Sequence, residues 1–322
     1  MTRYLHSVFF ACVFCFAMHA VAEDYPGRMV RIVVPNPPGG LSDIVPRVLA
    51  QRLQEKTGQP WIIENKPGAG GTIGAQYVAK AAADGYTLLL GFHGTHSTLP
   101  ALGMQLGYDP AKDFEPIILI LTVPNVLVVH PSVPAHSVRE LIDLAKAKPY
   151  SLSFASQGNG SGGHMVAEQF MMATGIKLIH VPYKGGAPAV QDLIGGHVSM
   201  MFDAAALALP NIHSGKVRAL GVATSRRMAA APDIPTMAEA GVPGIESGAW
   251  FGLFAPAGTP RAIVEWINRE AAEVYSDPAV QKRFVSQGAA FVLGSPQSFA
   301  QFISADLERW KRVVKEANIK LD

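Results

Sequence analysis

Two glycine-rich stretches hold most of the residues in this sequence whose types and spacing suit the binding of a small molecule. The first is PNPPGGLSD, residues 35–43, in which two glycines precede a serine and an aspartate. The second is FASQGNGSGGHMVAEQF, residues 154–170, with four glycines between Gly158 and Gly163. Glycines let successive amides point into one concavity, and a helix N-terminus adds positive potential there. Two such loops predict a clamp for a small anion, for which a carboxylate is the natural occupant.

The first stretch leads into a helix that we expect to begin with Asp43 as its N-cap. Pro46 then falls at the third helical position, where a residue without an amide hydrogen is tolerated. The Asp43 carboxylate would accept a hydrogen bond from the amide of Val45. The alternative is a tight strand-to-helix turn with an ordinary cap. On the binding hypothesis, the backbone amides are supplied by Gly39, Gly40, Leu41 and Ser42.

Ser161 and His164 raise the question of nucleophilic catalysis, because they lie three residues apart at one helix start. No serine stands in the G-x-S-x-G pattern, and the sequence places no third group to orient the histidine. His93 and His96 lack the glutamate of a zinc-protease helix. We therefore expect no enzymatic activity, no catalytic residue, no metal and no cofactor. An exported serine hydrolase built on Ser161 and His164 stays open as an alternative.

A third glycine-rich stretch, ENKPGAGGTIGAQ at 64–76, lacks the spacing of a dinucleotide-binding loop. The pattern G-x-G-x-x-G would need a glycine at position 73, which is Ile73. The acid that should end the next strand instead precedes it, at Asp84. We expect this loop to have a backbone role.

The elements that position these loops alternate along the chain, with short apolar runs between longer amphipathic stretches. This alternation predicts an α/β fold with mostly parallel sheets. Strands are predicted at 29–34, 60–64, 86–91, 117–121, 125–129, 151–155, 177–181, 198–203, 217–223, 249–255 and 289–293. Helices are predicted at 43–57, 72–83, 137–147, 163–174, 186–195, 259–275 and 296–317.

Two similar segments indicate that the chain crosses twice between two lobes. NVLVVHPSVPAHSVRELIDLAKA and WFGLFAPAGTPRAIVEWINREAA each contain a strand, a proline turn and a capped helix. We place the first lobe at 23–122 plus 250–322 and the second at 123–249. Two crossings leave a cleft with a hinge, and such a cleft can close.

The N-terminal segment has the features of a secretory signal peptide. Arg3 precedes an apolar run at 8–18, and a small-x-small site ends at Ala22, where we predict cleavage and export to the periplasm. Both cysteines, Cys12 and Cys15, lie in this segment, so no disulfide is expected in the mature chain. Losing one arginine and no acid lowers the formal charge from +2 to +1. Nothing in this balance indicates a nucleic-acid partner.

A set of ordered motifs runs through the whole mature chain. They are PNPPGGLSD for P-F-x-x-G-G-x-x-D, ENKPGAGGTIGA, DGYTLLLG, FASQGNGSGGHMVAE, VPYKGGAPAVQDLIGGHV, IPTMAEAG and WFGLFAPAGTP. In this combination the chain resembles the extracytoplasmic solute-binding receptors of the tripartite tricarboxylate transporter family, the Bug-type proteins.

The resemblance implies a type II-like periplasmic-binding-protein fold whose two α/β lobes close over a ligand like a Venus flytrap. Family members characteristically hold a carboxylate through loop amides and bridging waters, with few cationic side chains. The implied function is capture of a small organic carboxylate and its delivery to a membrane permease. A ligand-sensing subunit of a signalling receptor is the alternative that the sequence leaves open. We expect a monomer.

The resemblance also assigns site residues. The first loop supplies Gly39, Gly40, Leu41, Ser42 and Asp43, and we add Asn36 as a position where this chain departs from the family pattern. The second supplies Ser156, Gly158, Gly160, Ser161 and His164, and later segments supply Tyr183 and Asp203. Asn159 is added because its short polar side chain lies among these glycines. Asn36 stands where the family usually has phenylalanine, which either adds a polar contact or removes an aromatic wall, and Leu41 stands where a small residue or proline is common.

Overall fold

One long strand, β4 (Phe114–Val129), runs through two β-sheets whose faces are covered by helices. The computed structural model describes residues 25–319. The predicted signal segment and its cleavage after Ala22 lie outside the described residues. Within them, no helix combines the length and the apolar character needed to cross a membrane.

The elements follow one another in the alternating order that the sequence predicts. The strands are β1 Val30–Val34, β2 Trp61–Asn65, β3 Thr87–Phe92, β4 Phe114–Val129, β5 Ser153–Ser156, β6 Ile179–Pro182, β7 Met200–Ala204, β8 Arg218–Val222, β9 Gly248–Pro256 and β10 Ala290–Phe291. The longer helices are α1 Leu41–Thr57, α2 Thr72–Ala79, α3 Val138–Ala147, α4 Gly162–Thr174, α5 Gly186–Ile194, α6 Ala205–His213, α7 Arg261–Ser276, α8 Pro278–Val285 and α9 Pro296–Glu316. Shorter helical turns are Ala69–Gly71, Gly94–Thr98 and Leu99–Ala101.

The strand order β2-β1-β3-β9-β4-β7-β5-β6 passes through both sheets. In the first lobe, β1 is parallel to β2 and β3, whereas β9 is antiparallel to β3 and β4. In the second lobe, β5 is parallel to β6 and β7, whereas β7 and β8 are antiparallel to β4. The expected α/β fold is confirmed. Both sheets are mixed, because the crossing strands run against the parallel ones.

The partner of β4 changes between Pro124 and Asn125. Pro124 pairs with Gly248 of β9, and Asn125 pairs with Ala204 of β7. Proline cannot donate to a sheet, so it is tolerated where one ladder ends and another begins. The predicted lobe boundaries lie close to this change, and the division of the chain at those residues stays a prediction.

Buried side chains at helical spacing hold the helices against the sheets. On α1, Val45, Leu49 and Leu53 are fully buried, one turn apart. Burying a side chain of this size contributes about 1.5–3 kcal/mol. This packing fixes the helix start relative to the strand before it, and therefore positions the loop between them.

The last helix, α9, reaches the cores of both lobes. Phe299 and Ile303 near its start pack in the cluster that contains Trp250 of the first sheet. Trp310 and Val313, three turns further on, pack in the main cluster of the second lobe. The helix therefore forms a further contact between the lobes, besides the two crossing strands.

Candidate functional site

A cavity of about 450 Å³ lies between the lobes, at the carboxyl ends of the flanking parallel strands. Open α/β sheets bind ligands at that edge. The first lobe contributes residues that follow β2 and β3, namely Gly70, His93, Gly94, Thr98 and Leu99. The second lobe contributes Gln157, Asn159, Gly160, Ser161, Gly162, Gly163, Gly186, Asp203, Ala204 and Leu207. The crossings contribute Asn125, Gly248 and Ala249.

Three helix N-termini of the second lobe meet at this cavity. Helix α4 begins at Gly162, α5 at Gly186 and α6 directly after Ala204, and all three residues line the wall. The first amides of a helix have no partner within it, and each N-terminus carries roughly half a positive charge. Among residues 25–319, no lysine or arginine lines the cavity. Its positive potential therefore comes from the backbone.

The second glycine-rich loop holds its own amides in a defined arrangement. Ser161 is the N-cap of α4, and its hydroxyl accepts from the His164 amide at 3.4 Å. The Ser161 amide donates to the Gly158 carbonyl at 3.1 Å, and the Gly160 amide donates to Nδ1 of His164 at 3.0 Å. Within the described chain, the amides of Gly162 and the next glycine have no acceptor. These two amides are free to bind an anion in the cavity.

Gly163 lies close against the end of β7. A Cβ atom at this position would be 2.9 Å from the Phe202 carbonyl oxygen and 2.5 Å from Oε1 of Gln157. A side chain here would push the helix start away from the strand, so glycine is required by close approach and not by an unusual dihedral angle. This contact places the α4 amides next to the end of β7.

Asp203 forms the acidic part of the cavity wall. It is only 2% exposed, and its Oδ1 accepts a hydrogen bond from the Ala204 amide at 2.9 Å. Burial raises the pKa of Asp203 to about 7, against the smaller opposing effect of that hydrogen bond. The group therefore changes charge close to neutral pH.

His93 faces the second lobe from the first. Its Nε2 would lie 3.7 Å from a Cβ atom placed at Gly162, and its Nδ1 is buried without a partner in the described chain. Burial lowers the pKa of His93, with Asp306 acting weakly against it. His96 is instead fully buried, stacked on Phe254 at 4.0 Å. Residues 25–319 contain no cluster of three or more His, Cys, Asp or Glu arranged to hold a metal ion.

The first glycine-rich loop follows β1 but does not line this cavity. The expected cap is wrong: α1 begins at Leu41 with Gly40 as its N-cap and without a side-chain cap. Pro46 is therefore the sixth helical residue and not the third. The reason is that the Asp43 carboxylate is engaged elsewhere and does not accept from Val45.

Asp43 ties the first loop to its neighbours. Its carboxylate accepts from the Gly39 amide at 3.0 Å, from two nitrogens of Arg47 at 2.9 Å and from Nδ2 of Asn65 at 2.9 Å. The same Asn65 amide donates to the Asn36 carbonyl at 3.0 Å. The bond from Arg47 is the main cause that lowers the pKa of Asp43 to about 2, with Asn65 and Gly39 acting in the same direction.

The structure brings part of the predicted set together. Asn159, Gly160, Ser161 and Asp203 line the cavity. The remaining predicted residues do not line it; they are Asn36, Gly39, Gly40, Leu41, Ser42, Asp43, Ser156, Gly158, His164 and Tyr183. Tyr183 donates to Oδ2 of Asp192 at 2.6 Å, and Ser156 is fully buried beneath the second loop. Direct ligand contact by any of the fourteen stays a prediction.

Sequence reasoning missed several cavity residues. Gly70 belongs to the stretch that we assigned a backbone role, and its position after β2 was the signal that it could face the same edge. Gly186 follows β6 in the same way, at the start of α5. His93 was considered only as a metal ligand, although it directly follows β3.

The comparison with known proteins decides the family. The sequence profile described as "Tripartite tricarboxylate transporter family receptor" matches residues 45–319. This chain belongs to the tripartite tricarboxylate transporter receptor family. The resemblance noted from the sequence motifs is thereby confirmed, and the family is one of solute-binding receptors and not of enzymes.

Relatives match this family member over almost their full length. Protein BugT of Bordetella pertussis is 40% identical over 305 residues, which cover 93% of this chain and 92% of BugT. A solved structure of an R. palustris protein with adipate has a TM-score of 0.79 and 41% identity, covering 92% of this chain and 99% of that one. MatC from Rhodopseudomonas palustris with bound malate has a TM-score of 0.74 and 37% identity, and the match covers 90% of this chain and 100% of MatC. The two-lobed periplasmic-binding-protein fold is thus confirmed.

Proposed function

We propose that the chain is a periplasmic receptor that captures a small organic carboxylate in the interlobe cavity and delivers it to a membrane permease. The observation that carries this proposal is the convergence of three helix N-termini on a cavity that, among residues 25–319, no lysine or arginine lines. Such a wall suits an anion that is held by backbone amides.

Backbone amides are strong enough for this task. A hydrogen bond to a charged group contributes roughly 1.5–3 kcal/mol. Three or four such bonds exceed the roughly 8 kcal/mol of micromolar binding, before the cost of association is subtracted. The free amides of Gly162 and Gly163 supply two of them, and the starts of α5 and α6 offer further positive potential.

Contacts from both lobes connect binding to closure. His93 lies on the first lobe and faces Gly162 on the second across the cavity. A ligand that touches both walls binds the closed form more tightly than the open one, so it shifts the population toward closure.

Known relatives support the ligand class. One solved neighbour carries adipate and another malate, and both share more than a third of their residues with this chain. Both ligands are small organic acids that would fit a cavity of about 450 Å³.

A matched set of acids and amides tests the proposal. Adipate and malate are compared with their diamides by thermal shift and calorimetry, since only a ligand that binds the folded state raises the melting temperature. We expect at least one acid to bind and both diamides to fail. Diamides binding as tightly as the acids would contradict an amide-lined anion site.

Two serine caps provide a matched pair of variants. Ser161→Ala removes the cap at the cavity, whereas Ser137→Ala removes the equivalent cap of α3, whose hydroxyl accepts from the Glu140 amide at 3.1 Å. Each should lose about 1 kcal/mol of stability. Only Ser161→Ala should weaken carboxylate binding, by about tenfold. Equal affinities in both variants would remove the second loop from the site.

A hydrolase built on Ser161 and His164 gains no support from these contacts. The Ser161 hydroxyl meets the backbone amide of His164, and the ring nitrogen Nδ1 is occupied by Gly160. Ester turnover by the purified protein that disappears in Ser161→Ala would nevertheless establish that activity.

Export, delivery and oligomeric state complete the proposal. N-terminal sequencing of the secreted protein should begin at Glu23, because we propose cleavage after Ala22. Uptake of the bound acid by cells that carry the cognate permease should require this protein. A gene for a signalling receptor beside the gene for this protein would instead favour a role in sensing. Light scattering should give the mass of one chain.

A further inference from the structure

His164 lies beneath the second loop with both ring nitrogens engaged. Its Nδ1 accepts from the Gly160 amide at 3.0 Å, and its Nε2 lies 3.5 Å from Oε1 of Glu168. An acceptor at Nδ1 needs a lone pair, so this contact assigns the ring proton to Nε2, on the side of Glu168. His164 is 7% exposed and does not line the cavity. It therefore touches the loop and not the space that a ligand would occupy.

Stacked rings fix the orientation of the His164 side chain. His180 lies 4.1 Å from it with 7° between the ring planes, and Phe154 stacks on His180 at 4.6 Å. Nε2 of His180 is 2.7 Å from the Ser156 hydroxyl, which accepts from the Gly158 amide at 3.2 Å. Burial, together with the neighbouring His164 ring, lowers the pKa of His180 to about 4. The stacked ring pair thus supports two glycines of the loop from below.

The hydrogen bond from Gly160 holds the loop directly before the unpaired amides of α4. The Ser161 amide is bonded to the Gly158 carbonyl, whereas the next two amides, of Gly162 and Gly163, have no partner in the described chain and belong to residues that line the cavity. A loop released from His164 could turn at Gly160, where φ is +72° and the backbone has glycine's freedom. The direction of the free amides therefore depends on a side chain that lies behind them.

We propose that His164 is a positioning residue for the ligand: its Nδ1 anchors Gly160 and so aims the Gly162 and Gly163 amides into the cavity. This inference rests on the proposed carboxylate site. The ring acts through its acceptor and not through charge, because a proton on Nδ1 would point at the N–H group of Gly160.

Three substitutions separate the acceptor from the ring. His164→Asn keeps an acceptor near the position of Nδ1 but loses the stack, His164→Phe keeps the stack but loses the acceptor, and His164→Gln moves the amide toward the position of Nε2. His213→Asn, at an exposed site at the end of α6, is the matched control. Adipate and malate affinities are measured by calorimetry, and exchange of the Gly160 amide proton is measured by NMR in the ligand-free protein.

We expect His164→Phe and His164→Gln to weaken acid binding by about tenfold, because the loss of one hydrogen bond changes an affinity by about this factor. Both variants should also speed exchange of the Gly160 amide proton. His164→Asn should keep both the slow Gly160 exchange and the acid affinity within about threefold of the wild type. Equal affinities in all three variants, or an Asn variant as weak as Phe, would overturn the role of His164. If the wild type binds no acid, the proposed function fails, and the Gly160 exchange rates alone decide whether His164 anchors the loop.

Discussion

The side-chain amide of Asn125 donates to the Ser247 hydroxyl at 3.0 Å, and this bond joins the two segments that pass between the lobes. The backbone repeats the contact, since the Asn125 amide donates to the Ser247 carbonyl at 2.9 Å. Both side chains are buried, at 7% and 6% exposure. The pair therefore holds the two crossing segments together at the point where β4 changes its pairing partner.

Replacing Asn125 by Ala should lower the free energy of unfolding by about 1–3 kcal/mol, because the buried Ser247 hydroxyl loses its partner. Ser247→Ala should have a similar cost. The double variant should cost about 1 kcal/mol less than the sum of the two, as expected for residues in contact. Urea unfolding measures all three, and strictly additive effects would show that the side-chain bond contributes nothing.

Gly248→Ala should destabilise the protein by about 1–3 kcal/mol, the usual range for overpacking. A Cβ atom there would lie 2.4 Å from the Val123 carbonyl oxygen and 2.8 Å from Cα of Pro124, and both atoms belong to the backbone. Gly40→Ala is the comparison without a clash, because φ is −85° and the nearest atom is 3.9 Å away; it should lose only the N-cap preference for glycine over alanine, below about 1 kcal/mol. Thermal unfolding compares the melting temperatures of the two variants. A Gly248 variant as stable as the Gly40 variant would show that the crossing strands can move apart at no cost.

Asp203 should make the protein less stable as pH rises from about 4 to about 7. Burial raises its folded pKa to about 7 from 3.8, so over this interval the folded state holds a proton that the unfolded chain releases. The loss is up to about 1.4 kcal/mol per pH unit. Asp203→Asn should flatten this slope, whereas exposed Asp233→Asn should not. Denaturant midpoints measured from pH 4 to pH 8 check the difference.

The same carboxyl group should make ligand affinity depend on pH. Above pH 7 an ionised Asp203 adds a negative charge to the cavity wall, so an acid that stays fully ionised should bind more weakly there. Calorimetry with malate at pH 6 and pH 8.5 measures this. Asp203→Asn should remove most of the change, and an Asn variant with the wild-type pH profile would assign the effect to another group.

Asp43→Asn should cost about 1–2 kcal/mol at pH 7, because it weakens the bonds from Arg47 and from the Gly39 amide. This estimate of about 1–2 kcal/mol is kept low because the Arg47 guanidinium is half-exposed, and solvent screens its interaction with Asp43. The folded pKa is lowered to about 2, so this stability is present above about pH 4 and is lost as pH falls toward 2.

The exposed pair of Arg28 and Asp84 offers the control for Asp43. Asp84→Asn should change stability by less than about 1 kcal/mol, as is typical of surface ion pairs. On the family-based prediction that the first loop contacts the ligand, Asp43→Asn should also bind acids more weakly, because Asp43 orders the Gly39 amide. Unchanged acid affinity in that variant would show that the first loop takes no part in binding.

Most of the fold followed from local patterns, and the exceptions have physical reasons. The predicted strands 117–121 and 125–129 are one strand, because Pro124 lies where the sheet partner changes and needs no amide there. Helix α6 was missed since its segment AALALPNIH has a proline and little polar-apolar periodicity. Helix α8 is short and follows α7 almost without a gap.

The candidate site was predictable only where one stretch of chain carries the signal. The loop at Gly158–Gly163 was found because its glycines are clustered in the sequence. Gly186 and His93 were missed because they reach the cavity only when separate strands align at one edge. No local pattern could show that Nδ1 of His164 is occupied by Gly160, since that contact depends on the fold of the turn.

A strand common to both sheets also bears on how the protein melts. Strand β4 pairs with strands of one lobe before Pro124 and with strands of the other lobe after it. Neither lobe can therefore unfold completely without removing a central strand from the sheet of the other lobe. Calorimetry of the ligand-free chain should therefore show one cooperative endotherm and not two. Opening of the cleft must then twist β4 and the neighbouring crossing at Gly248 together.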